Sequence, residues 1–212
     1  MENTWKDNYE YLDFYKERYK FMSSFLNFEK IESIMDLGAG PEFLREFIPV
    51  KCKYYPVDYL KKTENTIIRD FNKGEFFEEK VDVIFAGGLL EYIYNLPDFI
   101  KKINKYTNCI IATYRFPELY PELNRDILVN HYSQKELFNI FKKAGFKLTL
   151  KPIYNKDFTV FIFTKNNCSF VNKKRIFRFN HRNLFSIENK LSNNLKKQKT
   201  LTFLGVKITW KV

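Results

Sequence analysis

The segment Ile31-Glu32-Ser33-Ile34-Met35-Asp36-Leu37 runs directly into Gly38-Ala39-Gly40-Pro41, and nothing else in the chain restricts its fold as tightly. A short apolar run that stops at closely spaced glycines reads as a buried strand entering a tight turn. Pro41 suits the first turn of a helix, with Phe43, Leu44 and Phe47 as its buried face. The unit expected is strand, glycine turn, helix. Glycines at such a turn let the backbone approach a ligand closely and offer amide donors at a helix N-terminus.

The rest of the chain repeats this alternation. Strands are predicted at 53–57, ending at Asp58, at 66–69, ending at Asp70-Phe71, and at 81–86, ending at Gly87-Gly88. A helix over 97–104 and a strand over 109–113 follow. Ser133-Gln134-Lys135-Glu136 is a capping-box pattern opening a helix with Leu137, Ile140, Phe141 and Ala144 on one face and Gly145 at its end. Strands at 147–151 and 158–164 complete seven. Ahead of them, Tyr11, Phe14/Tyr15, Tyr19, Met22 and Phe25/Leu26 recur at a helical period over 8–28. The fold class expected is α/β, a mostly parallel sheet with helices on both faces.

Asp36-x-Gly38-x-Gly40 lacks the third glycine of the dinucleotide fingerprint, whose place falls at Phe43. A nucleoside without phosphate suits it better than a pyrophosphate. Asp58 lies 18 residues after Gly40, where a carboxylate can take both hydroxyls of a ribose. Asp70-Phe71 can serve an adenine, the carboxylate accepting from its exocyclic amine.

In these residues the sequence resembles the class I S-adenosylmethionine-dependent methyltransferases. Met35 through Pro41 is similar to their first cofactor motif, Asp58 to their ribose-binding acid and Asp70-Phe71 to their adenine-contacting pair. The stretch 81–93 resembles their fourth strand and following turn, and 136–146 their late helix. The resemblance covers about residues 30–165. It implies a Rossmann-like seven-stranded sheet with an antiparallel last strand and S-adenosyl-L-methionine as cofactor. The cofactor-binding residues it implies are Asp36, Gly38, Ala39, Gly40, Asp58, Asp70, Phe71, Gly87, Gly88 and Leu89. Two positions depart from the family. Glu42 stands where a glycine is common, putting a carboxylate near the pocket, and Tyr92 stands where a histidine is frequent.

Methyl transfer from a sulfonium is an in-line displacement, so the protein contributes mainly positioning, with a general base if the acceptor is a hydroxyl. Glu91, Tyr92 and His131 are the candidate catalytic residues, each with a plain structural alternative. The leading helix, with Trp5, Tyr11, Tyr15 and Tyr19, either lids the pocket or packs the core. The loop 114–130, containing Arg115, Glu118, Tyr120, Arg125 and Asp126, is long and is expected to shape the acceptor site. Nucleic-acid amino-methylating enzymes of this class carry an Asn/Asp-Pro-Pro-aromatic motif after the fourth strand. Here Ala86-Gly87-Gly88-Leu89 has no proline, which disfavours base methylation.

Charge divides the chain. From Lys165 onward there are 12 Lys and Arg against Glu188 alone, so this tail carries the entire net charge of +11. The expected organisation is a capping helix over 1–30, the catalytic domain over 31–165 and a basic extension over 166–212, with a hairpin turning at Leu204-Gly205. Lys173-Lys174-Arg175, Arg178, Arg182 and Lys196-Lys197 can hold RNA phosphates. Equally, the tail can sit on anionic lipid with Phe177, Phe179 and Phe185 dipping in, or be a solvated extension. Its last fourteen residues resemble the Leu-Gly-containing endings of bacterial surface-polysaccharide enzymes. Cys52, Cys109 and Cys168 form no CxxC pair, so neither a metal site nor a disulfide framework is expected. With no secretory pattern or long apolar run, a cytoplasmic protein is expected, and the basic tail offers the option of peripheral contact at the inner membrane face. The function expected is O-methylation of a sugar, glycan or small-molecule acceptor. An RNA-modifying methyltransferase and an inactive scaffold with this fold are the alternatives, and the oligomeric state is not legible.

Overall fold

The computed structural model describes residues 12–121, 127–154, 158–165, 168–172, 185–191, 197–203 and 206–211. It divides into two compact units, Met1–Asn172 and Lys173–Val212. The first contains α1 (Leu12–Ser23), β1 (Ser33–Leu37), β2 (Lys53–Asp58), β3 (Ile67–Ile68), β4 (Val83–Ala86), α2 (Leu96–Ile103), β5 (Cys109–Tyr114), α3 (Gln134–Lys143), β6 (Lys147–Tyr154) and β7 (Thr159–Thr164).

The seven strands form one sheet in the order β3-β2-β1-β4-β5-β7-β6. β7 pairs antiparallel with both β5 and β6, while β1 to β5 pair parallel. Strand order runs outward in one direction from β1 and in the other from β4, so the switch point lies between these two strands. Ligands of open α/β sheets bind in the crevice at the carboxyl ends of such strands. Both Gly38–Gly40 and Gly87-Gly88 leave the sheet there.

Alternation along the strands assigns the two faces. Met35, Leu37, Ile84, Ala86, Ile110, Ala112 and Tyr114 join one apolar cluster with Leu96, Phe99, Ile100 and Ile103 of α2 and Leu137 and Phe141 of α3. Phe85 points the other way and stacks on Tyr19 of α1, with ring centroids 5.2 Å apart. Helices thus cover both faces. The abundant phenylalanines do much of this packing: Phe141 stacks on Phe163 at 4.4 Å, and Phe138 meets both Phe161 and Phe163 edge-on. Each such ring buried contributes about 1.5–3 kcal/mol. The capping box of α3 is formed as expected, Ser133 accepting from the Glu136 backbone while Glu136 accepts from that of Ser133.

Some elements differ from the sequence expectation. The helix after the glycine turn is a five-residue 3-10 turn, Phe43–Phe47, in which only Leu44 is fully buried. Glu42 enters it in the left-handed conformation (φ 60), and Ile48, preceding Pro49, leaves it extended. These two ends allow no further turn. The third strand has two residues rather than four, and it pairs with β2 only at Val57 and Asp58, beyond Pro56, which has no N–H to give a ladder.

The first unit also extends past residue 165. Asn27 N donates to Phe170 O (2.8 Å) and Asn172 N to Phe25 O (2.7 Å), tying this segment to the chain just after α1. Residues 8–11 of the expected leading helix, Trp5, Arg125 and Asp126 lie outside the described residues.

The second unit is a three-stranded antiparallel sheet, β10-β9-β8, of β8 (Phe185–Leu191), β9 (Lys197–Phe203) and β10 (Val206–Lys211). The expected hairpin is β9–β10, closing at the Phe203↔Val206 pair, and β8 is an addition to the sequence expectation. Leu204 and Gly205, like Lys173, Lys174, Arg175, Phe177, Arg178, Phe179, Arg182 and Lys196, lie outside the described residues. Among the described residues no helix is long and apolar enough to cross a membrane.

Candidate active site

Asp36 is paired in register with Phe85 of β4 and Pro56 of β2 and is fully buried. Tyr54 of β2 donates its hydroxyl to Asp36 Oδ2 at 2.7 Å, while Oδ1 has no partner among the described residues. Burial raises the Asp36 pKa to about 7, against the opposing pull of the Tyr54 bond.

The glycine turn follows. Gly38 adopts a left-handed conformation (φ 70) that favours glycine, and a Cβ there would lie a tight 3.3 Å from the Leu89 side chain. At Gly40 (φ 51) no described residue stands within 4 Å of that position. The amides of the turn are not free donors, contrary to expectation. Gly38 N and Ala39 N donate to Val57 O at 2.8 and 3.2 Å, and Gly40 N donates to Asp58 Oδ2 at 3.0 Å. Leu60 N donates to Asp58 Oδ1 at 3.1 Å, so Asp58 is fixed at the end of β2 with further lone pairs on each oxygen. The Glu42 carboxylate accepts from the hydroxyls of Thr63 and Thr66, which joins the turn to the loop after β2.

On the other side of the switch point, α1 closes over the end of β4. Arg18 donates to the Gly87 carbonyl and lies against the Tyr15 ring at 4.9 Å, with Phe14, Tyr19 and Phe158 within 6 Å. A Cβ on Gly87 would meet the Tyr19 ring at 3.1 Å, and one on Gly88 (φ 99) would meet the Arg18 guanidinium at 3.0 Å. The next turn, Leu90–Tyr92, buries Glu91, whose Oε1 accepts from Arg115 N at 2.9 Å and whose Oε2 has no partner among the described residues. Burial holds Glu91 above the usual carboxylate range despite its own backbone bond and nearby Arg115 and Arg18. Asn130 is fastened to this turn, donating to Leu90 O and Ile93 O, both at 2.8 Å.

The other sequence candidates fall as follows. Tyr92 is half-buried on the Leu90–Tyr92 turn, its hydroxyl pKa raised by burial and by Glu91. His131 is exposed, and its side chain bonds none of the described residues. Asp70 caps a 3-10 turn by accepting from Asn72 N at 3.0 Å, and the Phe71 ring packs against Phe99 at 5.2 Å and Phe76 at 6.1 Å. Arg18, Tyr54 and Asn130 escaped the sequence reading. Arg18 had a legible signal, a cation on the apolar stripe of a helix between Tyr15 and Met22.

A family model described as a methyltransferase domain matches residues 5–151. The chain belongs to this family. S-adenosylmethionine is the methyl donor such domains use. No curated protein matches the chain in sequence. An O-methyltransferase family protein from Burkholderia thailandensis is similar in fold, with 12% identity and a TM-score of 0.60 over 73% of this chain and 57% of that one. The methyltransferase domain described here therefore spans little more than half of that protein. The N-terminal domain of EvdMO1 with SAH bound is similar at 12% identity and TM-score 0.52, covering 72% of this chain and 81% of that one. The same domain in the presence of SAH and D-fucose gives 13%, 0.50, 72% and 83%.

The site residues fit an adenosyl donor with an amino-acid end. Asp36 Oδ1 is a buried acceptor without a partner among the described residues, none of which crowds the Cβ position of Gly40, and Asp58 retains acceptor capacity at the carboxyl end of β2. The turn's amides are already bonded, as befits a methyltransferase donor that carries no phosphate.

Proposed function

We propose that this methyltransferase O-methylates a sugar, glycan or other small-molecule acceptor. The observation that carries the reading is the buried carboxylate of Glu91 beside the switch point, with Oε2 lacking a partner among the described residues. The bound donor would supply an electrophilic methyl group on a sulfonium. Asp58 would hold the ribose hydroxyls, Asp36 the ammonium, and the Gly38–Gly40 turn would leave space for the chain between them. Glu91 Oε2 would accept the proton of the acceptor hydroxyl as it is methylated, its raised pKa making it the stronger base once ionised. The loop around Asn130 would wall the acceptor side, and α1 would exclude water above Gly87. The fold likeness to a family of O-methyltransferases and to a domain studied with D-fucose supports this acceptor class. The basic second unit supports action at an anionic membrane face.

The test supplies S-adenosylmethionine with a deuterated methyl group to the purified protein and to Glu91→Gln, with fractionated cell extract. The label is expected in ether linkages of the glycan or small-molecule fraction, at a rate at least about 100-fold lower in the variant. Label in RNA instead would establish the nucleic-acid alternative, and donor binding without label in any fraction the scaffold alternative.

A further inference from the structure

The three cysteines form no disulfide, yet two of them meet. Cys109 opens β5, is fully buried, and has its side chain hydrogen-bonded to that of Cys168. That bond and burial hold the Cys109 thiol well above its ordinary pKa, so it keeps its proton. Cys168 is half-buried and is the more accessible of the two to a small oxidant. The backbone explains why residues so distant in sequence share this place. Cys109 is paired in register with Thr164 of β7, and Lys165 N donates to Asn108 O at 2.9 Å. Cys168 then opens the segment whose Phe170 and Asn172 bond Asn27 and Phe25, with Leu26 and Val171 in an antiparallel bridge. The pair therefore stands where β5, the segment 168–172 and the chain just after α1 come together. β5 runs parallel to β4, so its first residue lies at the opposite edge of the sheet from the glycine turns, away from the site described above. Cys52, by contrast, is 2% exposed, and its thiol donates to Lys53 O.

We propose that Cys109 and Cys168 are a reversible redox pair, closing to a disulfide under hydrogen peroxide and reopening under a thiol reductant. The Cys168 thiolate attacks one oxygen of the peroxide and breaks its O–O bond, giving a sulfenic acid and a hydroxide. That hydroxide takes up the proton Cys168 released and leaves as water. The Cys109 sulfur then attacks the Cys168 sulfur, its proton joins the departing hydroxide, and a second water is lost. Two thiols are thus oxidised by two electrons while one peroxide is reduced to two waters. The new bond fastens the segment 168–172 to β5 and closes a long loop, which restricts the unfolded chain.

The test uses the full chain, reduced, freed of reductant and treated in its folded state with hydrogen peroxide, then denatured for thiol titration and mass spectrometry. Wild type is expected to fall from three thiols to one, to lose two hydrogens in intact mass, and to yield a linked peptide joining Cys109 to Cys168. Its melting temperature should rise by about 5 °C or more, and dithiothreitol should reverse every change. Cys168→Ser should keep both its thiols and its mass. Cys109→Ala removes the resolving thiol, so Cys168 should be trapped by dimedone as its sulfenic acid. The wild-type result decides the matter even where that variant folds poorly. Three thiols persisting in folded wild type would overturn the proposal. So would a link to Cys52 or between two chains, or oxygen gained at Cys168 without a link. A linked chain that melts no higher than the reduced one would overturn the fastening of 168–172 to β5.

Discussion

At the residue scale, Asp36 is the most informative group in the molecule. Its carboxyl is raised to about 7 in the folded chain, against about 3.9 for an unperturbed aspartate. Between these values the folded state keeps a proton that the unfolded chain has released. The contribution to stability is therefore full below the unfolded pKa and is lost as pH rises through 7. Asp36→Asn can still accept from the Tyr54 hydroxyl and carries no charge to bury. The melting temperature of the variant minus that of wild type should therefore increase between pH 5 and pH 8. Glu91, also raised, acts on both proteins alike and drops out of the difference. A difference that stays flat over this range would show that Asp36 is not buried as a neutral acid.

The parts of the site legible in the sequence are those set by local chain. Asp36, Gly38, Gly40 and Asp58 announce themselves by spacing because each ends a strand or shapes the turn after it. Tyr54 and Arg18 act through partners far along the chain, so their roles exist only once β1, β2, β4 and α1 are assembled. Glu42 was visible as a departure at a glycine position. That its carboxylate would reach Thr63 and Thr66 was not, because a loop conformation decides it.

At the element scale, α1 and the end of β4 form one construction. The helix was legible from its apolar stripe, and its use as a cover follows from Tyr19 stacking on Phe85 and Arg18 bonding Gly87. Gly88→Ala tests the closeness of that fit. The new Cβ would meet the Arg18 guanidinium at 3.0 Å in a backbone conformation (φ 99) that favours glycine. The expected loss is about 2 kcal/mol or more in urea unfolding, with weaker binding of S-adenosylhomocysteine. Unchanged stability would mean that the helix sits more loosely than these distances state. By contrast, the helix expected after the glycine turn was misread. Periodicity alone does not register that Glu42 enters in the left-handed conformation or that Pro49 forces Ile48 out of helix. β8 was missed for a related reason: its alternation of Phe185, Ile187 and Leu191 is diluted by the Lys- and Asn-rich composition around it.

At the scale of the whole molecule, the strand order makes β1 and β4 the switch point, and the charge asymmetry sets the second unit apart chemically. The boundary between the units matters for any truncation. Removing residues 166–212 would take away Phe170 and Asn172, whose backbone bonds hold Phe25 and Asn27. Ending the chain after Asn172 keeps them and still removes 11 of the tail's 12 basic residues. If the basic unit is the anionic-surface contact, this shorter chain should bind S-adenosylhomocysteine as wild type does while losing co-sedimentation with phosphatidylglycerol vesicles. Retained co-sedimentation would move the membrane contact to the first unit or remove it from the account.

The carboxyl ends of β1, β2 and β4 are proposed to bind S-adenosylmethionine, with Asp58 holding its ribose. The most direct test is calorimetric titration of S-adenosylmethionine into wild type and Asp58→Ala, with circular dichroism to establish that both are folded. One site per chain is expected in wild type, and binding at least about 30-fold weaker in the folded variant, the loss expected for removing charge-assisted hydrogen bonds. Wild-type protein that takes up no S-adenosylmethionine would rule out a cofactor site there, and a folded Asp58→Ala that binds it equally well would rule out the ribose contact.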